Sequence, residues 1–377
     1  MHPRPRLPFT PSRRLTLGVE WELQFVDRES RDLAPVAPAI FRALGGKSER
    51  IKPEVFQEMV EVTTEICASA EDARHDLQAS LARLARAADK VGVDVASGGT
   101  HPFARYADSE VSTGQRYQML MTRERWIARR LMIFGLHVHI GMVDADQAVA
   151  VLNGMLWHAP LLLALSANSP FWQGLDTGLA SARATVFEAS PVAGHPCTYE
   201  SWAEFEALYG SLVRAKSITS IKDFWWDIRP HPDFGTIELR FCDALPTLRE
   251  TIALVALAHC LAGRLVEQYE DGLRMSPPPM WMIRENKWRA SRLGMRASFV
   301  VREDGETERA ADTARRLVEE LAPTARKLGC AKALRDVLEI VKVGNGAVRQ
   351  RGAFERRERH EDVVASLVRQ LRDNRIR

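Results

Sequence analysis

Residues 15–26, Leu-Thr-Leu-Gly-Val-Glu-Trp-Glu-Leu-Gln-Phe-Val, alternate in polarity within a run of good strand formers. Period two predicts a strand with Glu20 and Glu22 on one face, about 6.6 Å apart. Val19, Trp21 and Leu23 fill the other. The same rhythm returns three times. A strand over 58–66 sets Glu61, Thr63 and Glu65 against Val60, Val62 and Thr64. One over 134–142 sets His137 and His139 against Val138 and Ile140, and one over 234–242 sets Glu238 and Arg240 against Ile237, Leu239 and Phe241. Leu77, Leu81, Leu84 and Ala88 give 71–90 a helical period. Helices are also predicted over 147–165 and 248–269, the latter apolar enough to be wholly buried. A short strand over 91–96 enters the loop Ser97-Gly-Gly-Thr-His-Pro102, and the chain from Thr307 onward is mainly helical.

Strands and helices interleave, yet no strand end carries GxGxxG or GxxxxGK[ST], the glycine-rich turns of parallel nucleotide-binding folds. Polar residues instead occupy strand interiors on one side only. This predicts an α+β fold with a largely antiparallel sheet, helices on one face and a wet, charged groove on the other. Residues 1–14 read as a flexible leader without the apolar core of a signal peptide. Residues 15–377 read as a single domain, with Ser276-Pro-Pro-Pro279 a loop inside it.

Charge narrows the partners. A net charge of +3 on 377 residues suits neither a nucleic-acid groove nor a polybasic membrane patch. The longest apolar runs, 252–261 and 161–165, are too short to span a bilayer. Five cysteines, odd in number and without a CxxC pair, fit free thiols in a reducing cytoplasm. A homodimer is expected only as the commonest assembly.

Buried carboxylates need cations or donors. Taken alone, Glu20 and Glu22 fit a solvated edge strand, His137 and His139 fit structural histidines, and Glu238 with Arg240 fits an internal ion pair. Repetition across separate strands argues for a site. An oxygen-rich ligand set suits Mg²⁺, with Mn²⁺ as the alternative, better than zinc. Carboxylate-bound Mg²⁺ beside arginines implies a phosphate-bearing substrate. Arg116, Arg229, Arg240, Arg289 and Arg292 are the candidate phosphate arms. No GxSxG or cysteine–base pair points to nucleophilic catalysis.

Gly18-Val-Glu-Trp-Glu22, Glu61-Val-Thr63, Gly99-Thr-His-Pro-Phe103, Arg116-Tyr117 and Gly135-Leu-His-Val-His-Ile-Gly141 stand in an order that resembles the glutamate–cysteine ligase type 2 family of ATP-dependent carboxylate–amine ligases. The block 161–181, Trp225-Trp-Asp-Ile-Arg-Pro230, Phe234-Gly-Thr-Ile-Glu-Leu-Arg240 and Glu285-Asn-Lys-Trp-Arg-Ala-Ser-Arg292 extend the likeness to about Gly294. Trp21 departs from the family's usual glutamate, on the face away from Glu20 and Glu22.

The resemblance implies a glutamine synthetase-like catalytic fold, a curved antiparallel sheet forming an open funnel. It also implies ATP-dependent joining of a glutamate carboxylate to an amine such as cysteine, by way of a γ-glutamyl phosphate. Glu20, Glu22, Glu61, Glu238 and His139 are then the expected Mg²⁺ ligands. Arg240 and Arg292, with Glu238 and His137, are expected at the phosphoryl transfer, and Arg289, Asn286, Lys287 and Arg240 at ATP. Arg116, Arg229, Thr63, Tyr117, His101 and Trp226 are expected at the substrates. The same chemistry on another amine or acid, and a nucleotide-binding regulatory protein on this scaffold, are the rival readings.

Overall fold

The structure, a computed structural model, describes residues 7–46 and 48–376. Its centre is a seven-stranded sheet of β1 (Leu17–Asp27), β2 (Ile51–Pro53), β3 (Met59–Thr63), β4 (Val93–Ala96), β5 (Gly135–Gly141), β6 (Ile228–His231) and β7 (Thr236–Asp243). The order across it is β6-β7-β5-β1-β3-β2, and β4 pairs with the later part of β1. Every pairing in this sheet is antiparallel. The expected α+β class is what the chain adopts.

Alternation decides which side of the sheet is dry. Leu17, Val19, Trp21, Leu23 and Phe25 are buried with Val60, Val62, Leu136, Val138, Ile140, Ile237 and Leu239 in one core. Helices α1 (Ala70–Val91), α3 (Ala145–Met155), α4 (Ala159–Ser166) and α6 (Leu248–Glu270) pack against that face; α2 (Gln115–Glu124) and α5 (Ala182–Phe187) lie toward the other. α7 (Met280–Leu293) packs on α4. α1 starts at a capping box in which Ser69 and Asp72 satisfy each other's backbone N–H, and stops at Gly92 in the left-handed region. α6 is buried over most of its length, as its composition predicts.

Three expectations need correction. The helix over 147–165 is two helices, α3 and α4, bent by 65°. Pro160, in the first turn of α4, lacks the N–H that would continue α3, and its ring excludes the preceding turn's carbonyl. The strand over 58–66 ends at Thr63, so Glu65 leaves the acidic face and pairs with Arg50 at 2.7 Å near the surface. Residues 7–14, part of the expected leader, are packed: Thr10 and Ser12 donate backbone hydrogen bonds to Pro232 and Met142, and Leu7 is buried. Residues 1–6 of that leader lie outside the described residues. No single helix among the described residues is long and apolar enough to cross a membrane.

That packed segment explains two glycines. A β-carbon at Gly141 would strike Arg13 and Thr16, and one at Gly235 would strike Thr10 and Ser12. Gly235 also has φ of +62°, which L-residues rarely adopt. Gly235→Ala should therefore cost about 3 kcal/mol in urea unfolding. Gly272→Ala, at φ of +78° but with open space around it, should cost only about 1 kcal/mol. Equal costs would show that the contact with residues 10–12 adds nothing.

Candidate active site

The polar face of the sheet lines a cavity of about 1080 Å³. Register assembles it. Glu20 sits opposite Thr63 on one side and His137 on the other, and Glu22 sits opposite Glu61. His139 faces Glu238, and Glu238 faces Arg229. Residues opposite one another share a face, so five neighbouring strands deliver carboxylates, imidazoles and guanidinium groups to one surface.

Charges are divided unevenly across it. On β6 and β7, Glu238 accepts from Arg229 Nε at 2.6 Å and pairs with Arg240. Burial opposes its charge, but the two guanidinium groups hold its carboxyl well below the usual range. Glu20 is likewise held low against burial, here by His137 and His139; His137 Nδ1 lies 2.9 Å from Glu20 Oε2. Burial, with Arg240 adding to it, pushes His137 down to about 4, leaving it neutral near pH 7. Around β1, β2 and β3 the balance reverses. Burial and neighbouring carboxylates raise Glu61 well above its ordinary value and push Glu54 up to about 7. Burial also raises Glu22, although Arg183 and a backbone N–H from Gly135 oppose it.

An excess of carboxylates suits a divalent cation. Oxygen and nitrogen ligand atoms lie within 4.8 Å of one another in three overlapping sets: Glu20–Glu61–His137, Glu20–His139–Glu238 and Glu22–Glu54–Glu61. His139 Nδ1 lies 3.0 Å from the Thr236 hydroxyl, and its buried Nε2 has no hydrogen-bond partner among the described residues. An orphaned imidazole nitrogen facing Glu20 and Glu238 fits a cation ligand. Glu238, occupied by two arginines, is the least available of the carboxylates.

Comparison with known proteins agrees with this geometry. The model of glutamate–cysteine ligase family 2 matches residues 16–370. The chain belongs to that family. A protein of Bdellovibrio bacteriovorus described as "Putative glutamate--cysteine ligase 2" is 44% identical over 365 residues, covering 97% of this chain and 96% of its own. A Thermobifida fusca protein of the same description is 43% identical, covering 97% and 92%. The crystal structure of glutamate–cysteine ligase from Francisella tularensis in complex with AMP shares the fold at a TM-score of 0.70 and 14% identity, over 98% of this chain and 91% of that one.

Not every expected residue of this family member meets the cavity. Glu20, Glu22, Glu61, Glu238, His137, His139, Arg116, Tyr117, Arg229 and Arg240 line it. Arg229 is committed to the fold, since Nη1 also donates to the carbonyls of Ile221 and Phe224. Arg116 is exposed at the rim, and no ion pair engages it among the described residues. Thr63 shares the polar face, but its hydroxyl donates to Glu49 O at 3.3 Å.

The other expected residues stand apart from the cavity. His101 is buried in its loop, with Nε2 2.9 Å from Arg31 O and Nδ1 accepting from Ala104 N; burial lowers it to about 3. Trp226 packs with Tyr199, Phe205 and Phe224, and its neighbour Trp225 reaches the cavity instead. The α7 residues also face elsewhere: Asn286 clips to Val300 through two hydrogen bonds and Arg289 donates to Ser298 O. Arg292 donates to Gly178 O, and Lys287 is buried between Glu188 and Asp227. Sequence reasoning missed Glu54 and Arg183, both of which line the cavity.

The electrostatics set a sign for pH. Glu54 and Glu61 hold protons in the folded protein at pH values where the unfolded chain has lost them, so cation-free stability should fall from about pH 5 to about pH 8. Glu20 and Glu238, held low, act only below that window. A cation takes the ionised carboxylates, so millimolar Mg²⁺ should raise the thermal midpoint more at about pH 8 than at about pH 6. Equal gains at both pH values in a thermal-shift assay would exclude these two groups as ligands.

Proposed function

We propose that this cavity joins the γ-carboxylate of glutamate to the amine of cysteine, with ATP converted to ADP and phosphate. The single observation that carries the reading is the sheet face itself, a cation-hungry carboxylate cluster adjoining buried arginines in a cavity at the large end of ligand-pocket sizes. Glu20, Glu22, Glu54, Glu61 and His139 would hold Mg²⁺, which when bound neutralises phosphate charge. Arg240, braced by Glu238, presents its guanidinium where charge builds on the transferring phosphoryl group.

The reaction balances in two displacements. An oxygen of the γ-carboxylate bonds to the γ-phosphorus and ADP leaves, giving an acyl phosphate. The amine nitrogen then bonds to the acyl carbon, phosphate leaves, and the proton lost from nitrogen ends on that phosphate. Arg116, exposed at the rim, would clamp the α-carboxylate of glutamate in a planar, two-point pairing. A reaction that consumes ATP and a free thiol belongs in the cytoplasm, in keeping with five free cysteines.

Incubation with ATP, Mg²⁺, glutamate and a panel of amines, following ADP release and product mass together, tests the proposal. ADP release with the mass of γ-glutamylcysteine is the expected result. ADP with a different conjugate would keep the chemistry and replace the amine; no ADP with any amine overturns the proposal. Arg116→Ala should raise the KM for glutamate about ten-fold or more while kcat changes less. Glu22→Ala should remove most Mg²⁺-dependent turnover without unfolding the chain, and unchanged turnover at saturating Mg²⁺ would strip Glu22 of its role.

A further inference from the structure

Lys287 is the one cationic residue of α7 that is buried, and it lies on the helix side of the sheet beside Phe241. Its ammonium sits 2.7 Å from Asp227 Oδ2 and in contact with Glu188. His195 completes the cluster, with Nδ1 3.5 Å from Asp227 and Nε2 3.8 Å from Glu188. Burial, followed by the charge of Lys287, lowers the imidazole, so near neutrality Lys287 is the cation that serves both carboxylates. Asp227 is 4% exposed, and its Oδ1 has no hydrogen-bond partner among the described residues. The remaining space is about 20 Å³, room for little more than one water.

Asp227 is also where this cluster touches the reacting face. Its N–H donates to Gly194 O at 2.7 Å, and its carbonyl accepts the N–H of Arg240 at 2.8 Å. Arg240 lies where the pairing of β7 with β5 slips, between Leu239 and Cys242. Such irregularities re-aim side chains and leave the local backbone less fixed by the ladder. The carbonyl of Arg240 accepts from Arg183 Nη2 at 3.2 Å. The backbone of Arg240 is thus held by Asp227 on its N–H and by Arg183 on its carbonyl.

We infer that Lys287 is a positioning residue for Arg240. By fixing Asp227 from the helix side, it sets the backbone from which the Arg240 guanidinium reaches Glu238 and the cavity. The inference rests on the ligase reading for its kinetic readout and on geometry alone for its structural one.

Lys287→Met strands the buried carboxylate of Asp227 and destabilises the fold, whereas Glu188 is exposed to solvent, so the informative protein is Lys287→Met with Asp227→Asn, which removes the charge together with its buried partner. Its kcat should fall by about a hundred-fold, with KM for glutamate and the Kd for Mg·ATP within about two-fold of the parent. Its crystal structure should show Arg240 turned away from Glu238. Lys287→Arg, which keeps the ion pair, should recover most of kcat. Parental kcat in the double variant would overturn the inference, leaving Lys287 as mere charge balance for Asp227. A weakened Mg·ATP Kd at unchanged kcat would overturn it in favour of direct nucleotide contact. A failure of the ligase reading shows in the parent protein, as absent turnover with every amine; the position of Arg240 in the double-variant structure then decides the inference alone.

Discussion

Like charges crowded onto one face of a sheet repel, and the way this protein balances them organises everything around its cavity. Glu20, Glu22, Glu54, Glu61 and Glu238 line one space. At the β6–β7 end the protein supplies its own counter-charge through Arg229 and Arg240. At the β1–β2–β3 end it supplies less: Arg183 acts on Glu22, while Lys52, 3.7 Å from Glu61, is half exposed. The surface is therefore polarised, with guanidinium groups at one end and carboxylates in want of a cation at the other. A phosphate group spanning the two would meet a positive partner on each side.

The opposite face pays for this arrangement. Charges that cost free energy to desolvate must be held by something that gains it, and the apolar residues of the same strands are buried against α1, α3, α4 and α6. Trp21 shows how tightly the two faces are coupled. It stands between Glu20 and Glu22, is fully buried, and donates its indole N–H to Ser97 at 3.1 Å. That contact anchors the strand whose two carboxylates must keep their register.

Period-two alternation made the strands carrying Glu20, Glu22, His137, His139, Glu238 and Arg240 legible, because each long strand has one unmistakably apolar side. Glu54 escaped because it follows a three-residue strand ending in Pro53, too short to show a period. Arg183 escaped because it belongs to a six-residue helix, and nothing local says that its guanidinium will end beside Glu22 and Gly135. The α7 residues failed differently. Which polar side chains of that helix turn inward depends on packing against α4 and the strand Ser298–Val300, and sequence spacing carries no record of those partners. His101 was drawn toward the site by its neighbours in the motif, whereas its ring holds a loop to Arg31.

The interleaved strand order has a consequence for how the chain is made. Glu20 and His137, paired across β1 and β5, are 117 positions apart, and the arginines of β6 and β7 come later still. A ribosome delivers the acidic strands β1 and β3 long before the residues that balance them. Until residue 141 has emerged, β1 has one edge awaiting β5, and its carboxylates meet Arg229 and Arg240 only when β6 and β7, ending at residue 243, have followed. Such non-local topology folds slowly and exposes strand edges on the way. The unbalanced charge of the nascent strands would itself disfavour their pairing with copies of themselves, so the same glutamates that later face the cavity would first act as a safeguard against aggregation.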